Sequence, residues 1–391
     1  MALTEELANR VSEIATWRQD LHAHPELLYD VHRTAGFAAE QLRNFGCDEV
    51  VTGIGRTGVV GLIHGRKGAG ARVVGFRADM DALPIRETTG LPWASKAAGK
   101  MHACGHDGHT AMLLGAAREL CTSRNFDGTV AVIFQPAEEG GAGGRLMVQD
   151  GLMERFSIEQ VFGMHNLPGL PVGQFGMRVG GIMASADYPE IEILGKGGHA
   201  AIPHRTADPM VAAAQMILSL QTVVSRNTDP LEASVVSITK LSADSSAFNV
   251  IPENVKLGGT VRTLSATVRD ETEAAIRRVV DGVAAAHGVE TRFQYRRGYP
   301  VTVNAAEPVA MAAAAAQKAV GHENVFTDYT PMMGAEDFAY MLEARPGAYI
   351  FIGNGETSGL HSPSYDFNDD AIPHGVRYWT QLAETVLPLV D

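Results

Sequence analysis

The sequence is poor in cysteine, has no long uncharged apolar run and carries no surplus of base, and each shortage excludes something. Its three cysteines, Cys47, Cys104 and Cys121, are too few, and odd in number, to frame a disulfide-stabilised fold; a reducing, cytoplasmic location is the expectation. No apolar stretch is long enough to span a bilayer, so no membrane partner is expected. The opening MALTEELANRVSEIATWRQDL does not read as a signal peptide. It mixes acids and bases with Leu7, Val11, Ile14 and Leu21 at the spacing of an amphipathic helix. Lys and Arg together number 32 against 45 acids, a formal charge of −13, and the basic residues are scattered. Nucleic acid and anionic membrane surfaces are therefore poor partners. Internal repeats, low-complexity tracts and long linkers are also missing.

What is present is a globular chain of 391 residues, 45% hydrophobic, too long for one ordinary core. The first half alternates strand and helix. Arg72 to Arg77 is a β-rich run that stops at ADMDALP, Thr110 to Thr122 reads as a helix, and Thr129 to Gln135 is a buried strand that stops at PAEEGG. Such alternation predicts an α/β domain with a largely parallel sheet, whose ligands collect beyond the carboxyl ends of the strands. From Asp187 the order becomes strand, helix, strand, strand, helix, strand, the βαββαβ layout of a ferredoxin-like α+β domain. An Ala-rich helix around Pro308 to Val320 and a strand from Ala348 to Ile352 then return to the first style. The expected organisation is a catalytic domain of residues 1–186 and 298–391 interrupted by an inserted domain, 187–297.

Chemistry concentrates in MHACGHDGH, where Cys104 and His106 stand at metal-ligand spacing in a loop entering a helix. Taken alone, the pair fits a small buried cysteine beside surface histidines better than it fits two ligands. His109 falls in the first turn of the helix and reads as structural; Asp107 fits a helix N-terminal stabiliser. Adjacent carboxylates Glu138 and Glu139 repel one another unless a cation or a proton relieves them, so one can ligate a metal while its neighbour handles a proton. His165 in GMHN and His361 in GLHSP lie at a strand exit and in a Gly-rich loop. Asp79 and Asp81 in ADMDALP are ligands or acids that orient a histidine, the latter role being favoured for Asp81. In the inserted segment, His199, Asn249 and Arg262 are candidates for substrate contact, with Arg suited to a bidentate grip on a carboxylate. Each of the three also reads as an ordinary loop, turn or strand residue.

The series RxDLHAHPE (Arg18 to Glu26), RADMDALP, MHACGHDGH, QPAEEG, GMHN, GxGGHAAxPH, NVIPE, MGAEDF and GLHSP spans nearly the whole chain in order. It resembles the metal-dependent amidohydrolases and carboxypeptidases of the aminoacylase and hippurate hydrolase family, in the branch of bacterial hippurate hydrolases and plant auxin-conjugate hydrolases. The resemblance implies two divalent metal ions, zinc or manganese first and cobalt or nickel as options, held by Cys104, His106, Glu139, His165 and His361. Glu138 would be the catalytic acid and base. The inserted domain would be a lid that also joins subunits into a homodimer or homotetramer, with His199 reaching a partner's site and Asn249 and Arg262 meeting the substrate carboxylate. One departure stands out: Asp79 occupies the place of a histidine in the wider family's HxD. The implied substrate is a small N-acyl amino acid such as hippurate. Dipeptidase or carboxypeptidase action, removal of N-acetyl or N-succinyl groups, and a metal-binding protein without catalysis are the competing readings.

Overall fold

The computed structural model describes residues 5–70 and 72–389, which form two compact units. One comprises the chain up to Ile182 together with Val303–Thr330 and the residues from Asp337 on; the other is Met183–Thr302 with Pro331–Glu336.

The first unit is built on an eight-stranded sheet. Its order from one edge is Glu49–Ile54, Gly58–His64, Thr129–Gln135, Val73–Asp79, Gln160–Pro168, Gly347–Gly355, Phe175–Gly176 and Val325–Phe326. The four interior strands run parallel, as alternating strand and helix predicts, and each is buried along nearly its full length. Antiparallel pairing enters on both flanks, through the Glu49–His64 hairpin, which the sequence reading does not foresee, and where Phe175–Gly176 pairs with Gly347–Gly355. Because the interior strands share a direction, their carboxyl ends deliver Asp79, the chain after Gln135, and His165 to one side of the sheet.

The central helix is His106–Ser123, four residues longer at its start than the apolar pattern suggests. It is buried on nearly every face, packed against the strand Val73–Asp79 and the helices Glu5–Ala23, His32–Phe45 and Ile372–Val386. Gly105 precedes it at φ 90°, and a Cβ there would overlap the Asn166 side-chain amide and the Tyr365 hydroxyl. Only glycine admits both the left-handed backbone and that approach. The HAHPE segment has a structural task as well. Glu26 accepts from the backbone N–H of Arg33 at 3.0 Å and of Thr34 at 2.8 Å, satisfying donors at the start of the helix His32–Phe45.

The second unit has a four-stranded antiparallel sheet in the order Ser234–Ala243, Asn254–Thr263, Asp187–Leu194, Glu290–Arg297, with helices Pro209–Thr222 and Ala266–His287. Strand Asp187–Leu194 alternates strictly: Asp187, Pro189, Ile191 and Ile193 are buried while their neighbours are more open. The helices begin on Asp208 and Ser265, whose side chains accept from the first free backbone amides. Asp187 is fully buried and satisfied by the Arg269 fork at 2.5 and 2.9 Å and the Tyr295 hydroxyl at 3.0 Å.

Candidate metal centre

Each candidate ligand in the first unit is fixed from behind. His106, the first residue of its helix, donates from Nδ1 to the main-chain oxygen of Asp81 at 2.8 Å. His165 donates from Nδ1 to the main-chain oxygen of Asn166 at 2.7 Å. Both imidazoles thus turn Nε2 forward into the cluster, the orientation that a metal-binding histidine takes from its outer hydrogen bond. Burial and the nearby His109 hold His165 well below the ordinary imidazole pKa, so it is neutral. Its Nε2 lies 3.4 Å from Cys104 Sγ.

The acidic pair is held by Asp81. Its carboxylate accepts from the backbone N–H of Glu138 at 2.9 Å and of Glu139 at 3.1 Å. It therefore clamps the turn that carries the two glutamates, while the contact to the His106 ring runs through Asp81's main-chain oxygen. Ala137, just before the pair, sits at φ 56°, and His361 at φ 64°. Left-handed backbone at non-glycine residues is uncommon and here flanks the chemistry on both sides. His361 is anchored by its N–H to Ala103 oxygen at 2.7 Å, and its Nε2 stands 3.4 Å from Glu139 Oε1.

The donor atoms form overlapping sets. Cys104, His106 and His165 make one, Cys104, Glu139 and His361 another, and His106, Glu138 and Glu139 a third, with all atoms in a set within 4.8 Å of one another. Electrostatics asks for a cation among them. Although burial opposes it, Asp79, Asp81 and Glu139 push the His106 imidazole up to about 10. Its Nε2 is buried and has no hydrogen-bond partner, the nearest carboxylate oxygens being 3.8 Å (Asp79) and 4.0 Å (Glu139) away. Burial together with Glu139, Glu138 and Asp79 pushes the Cys104 thiol well above its usual value. Divalent ions would meet all of these demands at once, since they would give the orphaned nitrogen a partner, offset the carboxylates and favour the thiolate.

Asp79, His109 and Asn166 form the wall behind this cluster; His109 is structural and Asp79 orients it, as the sequence allows, while Asn166 is not foreseen. Asp79 accepts from Arg77 at 2.6 Å and from His109 Nδ1 at 2.6 Å. Against the cost of burial, His106, Arg77 and His109 hold its carboxylate well below the usual range. Both its oxygens are engaged by the protein, and the carboxylate standing in the HxD position also forms a further donor group with His106 and His109. His109 Nε2 in turn accepts from the Asn166 N–H at 2.9 Å, Asn166 Nδ2 donates to Cys104 oxygen at 2.6 Å, and the Tyr365 hydroxyl donates to Asn166 Oδ1 at 2.7 Å. The Asn of MHN was the available signal. Arg77 continues the scaffold to Gln135 at 2.9 Å and Asp337 at 3.0 Å.

A second buried cluster lies on the other side of the helix start. His22 Nδ1 bonds Asp107 at 2.8 Å, and Arg18, fully buried, grips Asp369 at 2.7 and 2.8 Å and lies 3.7 Å from Asp107. Burial opposes protonation of His22, but Asp107 and Glu87 raise it to about 9. Because the folded pKa lies above the unfolded value, this stability is fully present below about pH 6.5 and is lost as pH rises through about 9. The expected outcome is that His22→Gln costs up to about 3 kcal/mol at pH 6 and much less at pH 9.5. Denaturant unfolding of both proteins at the two pH values checks it; a pH-independent difference would contradict the assignment.

The three remaining candidates lie in the second unit. His199 is exposed on the short strand Gly198–His199, where it pairs with Val250, so Asn249 is its near neighbour across a two-stranded ladder. Its Nδ1 accepts from the Ala201 N–H at 3.1 Å. Arg262 lies on the strand Asn254–Thr263, half-buried, with its guanidinium donating to Thr260 and, at 3.0 Å, to Val261 oxygen, 5.9 Å from the Tyr188 ring.

Residues 75–385 match the peptidase family M20/M25/M40. The chain belongs to that family. Among its relatives, the hippurate hydrolase of Campylobacter jejuni is 41% identical over 98% of this chain and 99% of its own length. The N-acetylcysteine deacetylase of Bacillus subtilis is 40% identical over 97% and 98% of the two chains. Among solved structures, the Bacillus subtilis YXEP protein, described as a dinuclear metal binding peptidase of the M20 family, matches with a TM-score of 0.86 and 36% identity over 98% of this chain and 100% of that one. The motif resemblance and the fold thus lead to one family.

Proposed function

We propose that this M20 family chain is a metal-dependent amidohydrolase that cleaves N-acyl amino acids of the hippurate type into a carboxylic acid and a free amino acid. The observation that carries the reading is the cluster of thiol, imidazole and carboxylate donors, buried at Cys104, His106 and His165 and open at His361, with Glu138 beside it, in a chain similar along its whole length to a hippurate hydrolase. Cys104, His106, Glu139, His165 and His361 would hold two divalent ions, zinc or manganese before cobalt or nickel. When bound, such ions supply Lewis acidity for the attacking water and the amide carbonyl.

The remaining work falls to the chain. Glu138 is buried and its Oε1 is 3.4 Å from the Asp337 N–H, which holds the carboxylate in place. It takes a proton from the attacking water and returns it to the leaving nitrogen, so one group serves as base and then as acid. Asp81 keeps both glutamates in register through their backbone amides. In the second unit, residues 187–297 are assigned as a ferredoxin-like lid that also joins subunits. Asn249 and Arg262 receive the substrate carboxylate, and His199 stabilises the oxyanion in a partner subunit's site. A cytoplasmic location fits the low cysteine content; no helix of the described residues is long and apolar enough to cross a membrane.

The test is a panel of hippurate, N-acetylated and N-succinylated amino acids and dipeptides offered to metal-reconstituted protein, scored by release of free amino acid. Turnover of the N-acyl amino acids above the dipeptides, abolished by a chelator and restored by metal, is expected. Preference for small acetyl groups would favour the second reading, deacetylation, which the similarity to N-acetylcysteine deacetylase supports. No hydrolysis of any member would leave a metal-binding protein without catalysis. For His199, mixing inactive His199→Ala with inactive Glu138→Gln should restore part of the activity through mixed oligomers; absence of rescue would contradict a role across subunits.

A further inference from the structure

Two of the three cysteines meet far along the fold from the ligand sets. Cys47 follows the helix His32–Phe45, and Cys121 sits in the last turn of His106–Ser123. Their Sγ atoms are 3.6 Å apart across 74 positions of sequence. Both are free thiols, Cys121 buried and Cys47 half-buried, and neither is among the grouped metal donors.

The backbones carrying the two sulfurs are held together by one guanidinium. Arg124, at φ 45° just past the central helix, donates to Gly46 oxygen at 3.0 Å, to Asp48 at 2.7 Å and to His64 oxygen at 2.7 Å. Gly46, at φ 84°, closes the other helix, and Cys47 N–H bonds back to Leu42 oxygen at 3.1 Å. The sulfurs therefore meet between two braced segments. A disulfide requires them to close by about 1.5 Å, to the usual bond length near 2.05 Å.

We propose that Cys47 and Cys121 form a dithiol site that a small peroxide oxidises to an intramolecular disulfide, locking the helix His32–Phe45 and the following strand to the central helix. The two sulfurs share one hydrogen bond in which either can be the donor, Arg124 lies beside both, and Cys47 is the more open of the two to an incoming peroxide. The thiolate of one cysteine of the pair attacks one peroxide oxygen, breaking the O–O bond and releasing hydroxide, which is protonated to water. The other sulfur then attacks the resulting sulfenic acid, the S–S bond forms, and the hydroxyl leaves with that thiol's proton as the second water. Two thiols lose two electrons and two protons, and one peroxide becomes two waters. About 22 Å of helix separates Cys121 from His106, so the bond stabilises the domain without displacing the ligand cluster.

The test uses the metal-loaded protein and one equivalent of hydrogen peroxide, followed by alkylation and digestion without reductant. A Cys47–Cys121 linked peptide, lighter than the sum of its parts by two hydrogen atoms, is expected, with a melting temperature about 5 °C higher that returns to its starting value with dithiothreitol. Cys47→Ser and Cys47→Ala should both lose the linkage and the shift, the second guarding against misfolding of the first. Separate sulfinic acids without a link, a link between two chains through Cys47, a link to Cys104, or a linked protein with unchanged melting would each overturn the proposal. Hydrolysis is not the readout, so this result and the fate of the amidohydrolase reading are independent.

Discussion

Glu138→Gln is expected to remove nearly all hydrolysis, with kcat falling by roughly 10³-fold or more, about 4 kcal/mol of barrier, while bound metal is unchanged. The amide is the right substitution because it preserves shape. Its oxygen still accepts from the Asp337 N–H, and the backbone N–H that Asp81 holds is unaffected. What disappears is the ability to take a proton from water and give it to the leaving nitrogen. Because Glu139, not Glu138, stands with Cys104 and His361 in a donor set, elemental analysis should find wild-type metal content. A Gln variant within tenfold of wild-type kcat would sink the assignment of Glu138 as base. A variant that lost metal together with activity would instead move Glu138 into the ligand set, a role that its place in the His106, Glu138, Glu139 group makes worth measuring.

How much of this is legible in the sequence depends on the range of the interaction. The strand Thr129–Gln135 and the helix Ala266–His287 follow from local pattern, since every residue of one is apolar or strand-terminal and the other has Ser265 and Gly288 at its ends. The donor residues are legible too, because Cys104-x-His106 and Glu138-Glu139 are unusual enough to be noticed. Their supports are harder to read. Nothing local says that the carboxylate of Asp81 will clamp two amides 57 and 58 positions away, or that Asp79 will be taken up by Arg77 and His109. Those pairings depend on which strand lies beside which, a property of topology. His109 illustrates the point: helical position marks it as structural, yet its two ring nitrogens link Asp79 to Asn166 directly behind the cluster. The antiparallel edge hairpin escapes for the same reason, since strand direction is decided by partners distant in sequence.

Cys104→Ser is expected to act on metal rather than on the proton. Among the overlapping donor sets, Cys104 belongs to two, one with His106 and His165 and one with Glu139 and His361, so its sulfur is placed to serve either ion. A hydroxyl is nearly isosteric but is a far poorer ligand than a thiolate at neutral pH. Loss of an outer partner of a metal ligand already costs 10- to 100-fold in affinity, so loss of the ligand itself should cost about 100-fold or more. The expected result is protein that folds, elutes from a metal-buffered column with less than its full complement of metal, and recovers activity as metal is added. That recovery separates it from Glu138→Gln, which no added metal should rescue. Unchanged metal content at limiting metal would remove Cys104 from the ligand set. The thiol would then be a small buried side chain whose main-chain oxygen, held by Asn166 at 2.6 Å, is the part of the residue that matters.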